Sequence, residues 1–403
     1  MKLTAHHRTA RDAAESWRPA LLGLSHQLHA DPELSFEEHR SAAALAGLAE
    51  RAGFAVERGV AGLPTAFTAV RGSGELVVGL CAEYDALPGM GHACGHNVNG
   101  AAALGAALAL GEVADDLGIT VKLLGTPAEE DGGGKVHMIE DGLFDDVAVA
   151  MMVHANDADT VGNGSLAIGS WNIAYTGRPA HAAAAPWEGR NALDALTVAQ
   201  TGLGLLRQQL PPESVVHGII TDGGQAANVI PARTAARYEV RSPTLESLRT
   251  LQERVRACFE AGALATGTEL RMEPHGHDFA DLRQDTTVAE LYADAAEALG
   301  RTVGRAPQRT GSTDMGNVSH LLPTIHPMIG YDTGGARQHT PEFAAAGTSE
   351  GADRAVLDGA VAMAWTGVSL AAVPGHRARL LAEADRRAAA RERAQEDAVS
   401  PRP

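Results

Sequence analysis

The chain has 403 residues, 45% of them hydrophobic and 21% charged. That length exceeds what one core serves, so two domains are expected and chain-wide disorder is excluded. A formal net charge of −17 argues against a nucleic-acid partner, whose phosphates demand clustered cations.

Residues 1–29 lack the layout of a signal peptide. Their alanines and leucines are interrupted by Arg8, Arg11, Asp12, Glu15 and Arg18, the pattern of an amphipathic helix. Residues 76–81 form a short apolar run that fits a buried strand, followed by a loop over 83–95. A small-residue helix is predicted at 98–114, a strand at 119–124, a short helix at 133–141 and a third strand at 147–153. This alternation predicts an α/β catalytic domain, a mostly parallel sheet with helices on both faces.

From residue 170 the pattern changes. Trp171, Ile173 and Tyr175 alternate with Asn172, Ala174 and Thr176, the period of a half-buried strand. A helix over 192–209, strands over 215–221 and 232–241, a helix over 245–264 and a strand over 268–273 complete a β-α-β-β-α-β order. That order is ferredoxin-like, so 165–281 is expected to be an inserted α+β domain. Residues 1–164 and 282–373 would form the discontinuous first domain. Residues 374–403 read as a charged tail, a solvated helix or disordered stretch fraying into Ser400-Pro401-Arg402-Pro403. No apolar run is read as approaching the ~18 residues of a membrane span. Cys81, Cys94 and Cys258 are too few for a disulfide framework and suit a reducing compartment, the cytoplasm by default.

Only Lys2, Lys122 and Lys135 among 33 basic residues are lysines, a bias that robs arginine and alanine counts of functional meaning. The 17 histidines are informative only where they cluster with other ligands. Such clusters fall just past predicted strand ends, where open α/β sheets bind ligands. After the first strand come Glu83, Asp85 and Gly91-His92-Ala93-Cys94-Gly95-His96-Asn97. After the second come Glu129, Glu130 and Asp131, and His154 ends the third. Thiolate, imidazole and carboxylate at one sheet edge are what a metal site requires. Glu129 and Glu130, adjacent in an extended segment, would point opposite ways, one to metal and one to substrate. His92 is expected to be structural. His181 and His339 lie in loops, where an isolated histidine is more often a surface residue.

Further runs join these. Val78-Gly79-Leu80-Cys81-Ala82-Glu83-Tyr84-Asp85-Ala86-Leu87-Pro88-Gly89, the Cys94-Gly95-His96 turn, Gly125-Thr126-Pro127-Ala128-Glu129-Glu130, Gly177-Arg178-Pro179-Ala180-His181-Ala182, Asn228-Val229-Ile230-Pro231-Ala232 and the His339 loop together resemble the M20 family of metallopeptidases and amidohydrolases. The likeness covers roughly residues 20 to 370 and points to the branch of hippurate and auxin-conjugate hydrolases. The Cys94 turn and Gly311-Ser312-Thr313-Asp314-Met315-Gly316-Asn317 are most similar to aminobenzoyl-glutamate hydrolases and β-alanyl-lysine-type dipeptidases.

The resemblance implies a zinc-peptidase-like catalytic domain with an inserted lid and dimerisation domain. It implies two divalent ions, Zn²⁺ or Mn²⁺, bridged by Cys94, with Glu130 and His339 on one and His96 and His154 on the other. Glu129 would be general base and acid, and Asp85 would orient a ligand histidine. His181, supplied from a partner subunit, would stabilise the oxyanion, making the protein a homodimer or higher homo-oligomer. Asn228 would position the substrate. Arg241 is a candidate for a substrate carboxylate, with a strand-end surface arginine as the alternative. Asn97 stands where much of the branch has Asp, without implying loss of metal. The implied reaction is hydrolysis of an amide in a small dipeptide-like or N-acyl amino acid. The alternatives are an N-acyl-amino-acid deacylase, a specialised-metabolite amidohydrolase, or a catalytically inactive ligand-binding relative.

Overall fold

In the computed structural model, which describes residues 2–305 and 311–399, the apolar run at Leu76 forms the strand Leu76–Ala82 within a six-stranded sheet. The strand order is Ala55–Arg58, Phe67–Gly72, Ile119–Gly125, Leu76–Ala82, Val149–Met151, Thr324–Ile325. The pairings from Ile119–Gly125 onward are parallel, whereas Ala55–Arg58 and Phe67–Gly72 add an antiparallel edge. The sequence pattern did not register those two strands, because Ala55–Arg58 is four residues long and mostly exposed and Phe67–Gly72 buries only its first three residues.

The expected third strand is broken in two. Val149–Met151 stays in this sheet, and His154–Asn156 pairs with Met328–Gly330 in a separate four-stranded sheet. His154 sits at that step, its N–H donating to the Pro327 carbonyl at 2.9 Å.

The described residues divide into two compact units. The first comprises residues 2–164, 283–305 and 317–399, and the second residues 165–282 and 311–316. Residues 311–316 thus return to the second unit. Leu166 N–H donates to the Gly311 carbonyl at 2.9 Å, and Arg241 reaches the Ser312 hydroxyl at 3.3 Å.

The first unit is organised around the helix His96–Gly111, every residue of which is buried. It packs on the strands Leu76–Ala82 and Ile119–Gly125 and against the helix Glu350–Ala372. That second helix corrects the membrane reading. By length and composition it could cross a bilayer, with mean hydropathy 1.5, yet 89% of its apolar window is buried inside the protein. It is a core helix, flanked by Ser349 as N-cap at one end and Val373 at the other.

The C-terminal stretch is also more structured than the sequence suggests. After Pro341–Ala346 and Glu350–Ala372, Pro374–Val399 forms a third helix. It docks through fully buried Leu380 and through Arg379 on Asp285 and Arg391 on Asp145, both at 2.7 Å. Residues 400–403 lie outside the described residues.

The second unit is an antiparallel sheet in the order Glu269–Pro274, Ala167–Thr176, Arg233–Ser242, Val215–Asp222. The helices Ala192–Leu206 and Leu245–Thr266 pack on it and on each other. Trp171, Ile173 and Tyr175 point into this core beside Phe259, as their alternation requires.

The seating of the helix His96–Gly111 depends on Gly100. A Cβ there would lie 2.6 Å from the Glu83 carbonyl oxygen, which is backbone and cannot turn aside. Gly100→Ala should therefore cost about 1–3 kcal/mol in urea unfolding. Gly23→Ala, on a helix where nothing lies within 4 Å, should be neutral or stabilise by up to about 1 kcal/mol. Equal effects would refute the close-approach account.

Candidate metal centre

In the first unit Cys94, Glu130 and His339 stand on loops that follow strands, His96 opens a helix and His154 opens a short strand. Gly95 makes the turn between Cys94 and His96 possible. It is left-handed (φ 73°) and caps the helix His96–Gly111, and a Cβ on it would lie 2.4 Å from Ala155 Cβ. Only glycine satisfies both demands.

His96 is locked by Asp85. Its Nδ1 lies 2.9 Å from Asp85 Oδ1 and from the Asp85 carbonyl. Asp85 Oδ2 accepts from the Ser35 hydroxyl and from Glu130 N–H, each at 2.9 Å. Nδ1–H donation to Asp85 leaves Nε2 as the bare nitrogen. That nitrogen is buried and has no hydrogen-bond partner, and neither has Glu130 Oε1, 4.0 Å away. Buried polar atoms without partners are rare, and two of them facing one another fit a bound cation.

Glu129 and Glu130 depart from expectation. Glu129 opens a turn rather than an extended segment, after Ala128, which adopts φ 57°. Both carboxylates consequently face the same nitrogen: Glu129 Oε2 is 3.8 Å and Glu130 Oε1 4.0 Å from His96 Nε2.

Of the five groups of ligand atoms that lie within 4.8 Å of one another among the described residues, two hold most of the predicted ligands. One is Cys94, Glu130 and His339; the other is Glu83, His96 and His154. His339 reaches Glu130 Oε2 at 3.9 Å from a residue held at φ 64°, its N–H donating to the Ala93 carbonyl. His154 has Nδ1 3.0 Å from the Ala155 carbonyl, which also accepts from Gln338. Burial pushes the Cys94 thiol well above its usual range, and the Glu130 carboxylate adds to the shift. A bound cation reverses that, because a coordinating thiol is deprotonated outright. Burial, reinforced by His326, lowers His154 to about 3, so it is the neutral ligand form near pH 7.

The remaining candidates take other places. His92 hydrogen-bonds the Leu28 carbonyl at 3.1 Å. Asn97 donates to Ser25 and to the Gly347 carbonyl, tying chain segments together. In the second unit, His181 and Asn228 are brought side by side. His181 bridges to Val229, and Ala182 N–H donates to the Asn228 carbonyl. The ring of His181 is exposed, with Nδ1 accepting from the Ala183 and Ala184 amides. Arg241 contacts Glu239 and Ser312, each at 3.3 Å.

Sequence reasoning placed Glu83 in the strand-end cluster without a specific role, and gave none to Lys135, Asn99 or His326. Glu83 and Lys135 form an ion pair of 2.7 Å with both side chains fully buried. One signal was available: Lys135 is one of three lysines and directly follows Gly132-Gly133-Gly134. His326 stacks on His154 at 5.2 Å, and nothing in its local sequence announces that.

Residues 79–356 match the model for peptidase family M20/M25/M40. The chain is 39% identical over 386 residues to a mouse (Mus musculus) Xaa-Arg dipeptidase, covering 90% of this chain and 88% of that protein. It is 37% identical over 283 residues to one of the subunits of Escherichia coli p-aminobenzoyl-glutamate hydrolase, covering 65% of this chain and 59% of that one. A dinuclear metal-binding M20 peptidase from Bacillus subtilis shares the fold with a TM-score of 0.66 at 21% identity, over 88% of this chain and 99% of that one.

Behind the ligands, burial and the nearby Asp85 charge raise the Glu38 carboxyl to about 7 from 4.5. Its Oε1 accepts from Ala128 N–H at 2.8 Å. A carboxyl raised on folding loses stability as pH climbs from its unfolded toward its folded value. Glu38→Gln should therefore stabilise the metal-free protein at pH 8 by at most about 3 kcal/mol, raising its Tm clearly there and far less at pH 5. The same gain at both pH values would refute a buried, upshifted Glu38.

Proposed function

This chain belongs to peptidase family M20/M25/M40, and we propose that within that family it is a two-ion dipeptidase cleaving small peptides of aminobenzoyl-glutamate or β-alanyl type. It is a metal-dependent hydrolase of amide bonds in small acyl-amino-acid or dipeptide-like substrates. The observation that carries the proposal is the meeting of Cys94, Glu130, His339, His96 and His154 around buried atoms that lack partners, with Glu129 alongside. The mouse dipeptidase, matched over 90% of this chain, supports the dipeptide side of the reading.

Thiolate, imidazole and carboxylate together suit Zn²⁺ or Mn²⁺, with Cys94 as the bridging ligand. Bound ions would lower the pKa of water and polarise the amide carbonyl. Glu129, one turn residue before the ligand Glu130, takes the water's proton and returns it to the leaving amine. Asp85 fixes the His96 tautomer throughout. His181 of a partner subunit donates to the oxyanion of the tetrahedral intermediate. Asn228, beside it, positions the substrate. Arg241 holds the substrate carboxylate, its present contacts to Glu239 and Ser312 being long enough to exchange. The three free thiols suit a cytoplasmic setting.

A homodimer is supported by the free edge of the second unit. Val215–Asp222 is an end strand of its sheet and exposes Ile219 (64%), while Leu205 on the neighbouring helix Ala192–Leu206 is 72% exposed. An unblunted apolar edge is a pairing surface.

Glu129→Gln should keep full metal content and lose about 10²–10⁴ in kcat on aminobenzoyl-glutamate and β-alanyl dipeptides; near-full turnover would remove Glu129 from its role. His181→Ala should lower kcat more than it raises KM. Ile219→Lys should sediment as a monomer and lose activity together with the dimer. A fully active monomer would defeat the shared site.

A further inference from the structure

Phe36 holds φ 65°, a genuine outlier for so bulky a residue, which persists only where its surroundings impose it. It lies between the helices Arg18–Ala30 and His39–Arg51 and belongs to none of the groups of ligand atoms. The reason for its conformation lies in what the ring touches.

The ring bears on Gly132. A Cβ on that glycine would fall 2.2 Å from Phe36 Cε2 and 2.6 Å from Cζ, so the ring fills the space that any other side chain would take. Gly132 closes the turn 129–132, which carries Glu129 and Glu130, and the short helix Gly134–Glu140 follows it. On that helix His137 meets the same ring edge-on, with centroids 5.9 Å apart at 78°. The neighbours of Phe36 hold the other side of the turn. Glu38 Oε1 accepts from Ala128 N–H at 2.8 Å, and Ser35 donates to Asp85 at 2.9 Å. One short stretch of chain therefore grips the turn before Glu129 by a hydrogen bond and after Glu130 by the Phe36 ring. The second grip is needed because Gly132-Gly133-Gly134 has far more backbone freedom than other residues allow. Gly132 itself sits at φ 132°, a region open essentially to glycine alone.

We propose that Phe36 is a positioning residue for the proton transfer assigned to Glu129: its ring, seated on Gly132, fixes the turn 129–132 and with it the direction of the Glu129 carboxylate. The inference rests on the reading above in which Glu129 moves the proton. Phe36 acts through the backbone of Gly132 and is not itself a reacting group. Proton transfer demands hydrogen-bond reach, and a misplacement of about 1 Å costs on the order of 10²-fold in rate. A glycine-rich turn left without the ring would spread Glu129 over a range of that size.

The test uses Phe36→Gly, which removes the ring and suits the left-handed backbone, so the variant should fold. Phe36→Leu, which keeps bulk without a planar ring, is measured beside it. Each is loaded with excess Zn²⁺ or Mn²⁺ and assayed on aminobenzoyl-glutamate and β-alanyl dipeptides, alone and combined with Glu129→Gln. Ion content and KM should match the wild type. In Phe36→Gly kcat should fall by about 10–100-fold, and in Phe36→Leu it should fall by less. Added to Glu129→Gln, Phe36→Gly should lower the residual turnover no further, because no base is left to aim.

Wild-type kcat in Phe36→Gly overturns the inference, as does wild-type kcat in Phe36→Leu if the glycine variant does not fold. An equal loss with and without Glu129 also overturns it, since a ring that merely supports the fold acts in both backgrounds. A loss of kcat that further metal restores makes Phe36 a support for Glu130 instead of Glu129 and overturns it likewise. Near-full turnover in Glu129→Gln alone removes the proton-transfer reading and the inference together, whereas the other outcomes leave that reading standing.

Discussion

One buried carboxylate holds the site in register. Asp85 is fully enclosed, and it joins three segments far apart in sequence by accepting from Ser35, His96 and the Glu130 amide. Leaving such a charge unpaired in a protein interior costs several kcal/mol, so the three segments are bound to meet wherever Asp85 is buried. Its position on the loop after Leu76–Ala82 is set by the sheet, and the helix His96–Gly111 reaches it only because Gly100 allows contact with the Glu83 backbone. The ligand geometry is therefore a product of strand, helix and loop packing and not of the ligand residues alone.

The parts of this arrangement that were legible in sequence are those with a local cause. Apolar runs marked the inner strands, alternation marked Trp171, Ile173 and Tyr175, and thiol, imidazole and carboxylates after strand ends marked the metal-binding edge. What stayed hidden has a tertiary cause. Ala55–Arg58 is too short and exposed, and the buried half of Phe67–Gly72 too short, for either strand to advertise itself. The direction of Glu129 and Glu130 depends on a left-handed Ala128, whose amide is held by Glu38 from a distant segment. His326 and Lys135 become part of the site only through the pairing of strands and the winding of a short helix. Residues 311–316 look continuous with the first unit in sequence, yet they are hydrogen-bonded into the second.

Of the five non-glycine residues at positive φ among the described residues, two lie at the same place. Ala128 and His339 both adopt positive φ without being glycine, a conformation that costs of order 1 kcal/mol or more and persists only where surroundings impose it. Each is pinned by a hydrogen bond that its amide donates, to the Glu38 carboxylate in one case and to the Ala93 carbonyl in the other. One precedes the candidate ligand Glu130 by two residues, and the other is the candidate ligand His339 itself. Strain here serves to aim donors that a relaxed turn would direct elsewhere.

The docking of Pro374–Val399 bears on the order in which the molecule comes together. That helix grips Asp145, which precedes the inserted unit, and Asp285, which follows it. The sheet is likewise closed by Thr324–Ile325 against Val149–Met151, and His339 arrives later still. While the chain emerges from the ribosome, the inserted unit holds all its own strands and helices before the first unit can be completed. The candidate cation-binding cluster thus cannot be complete before residue 339 is made, and a shorter chain has the thiol and carboxylates without the histidine that joins the Cys94 group.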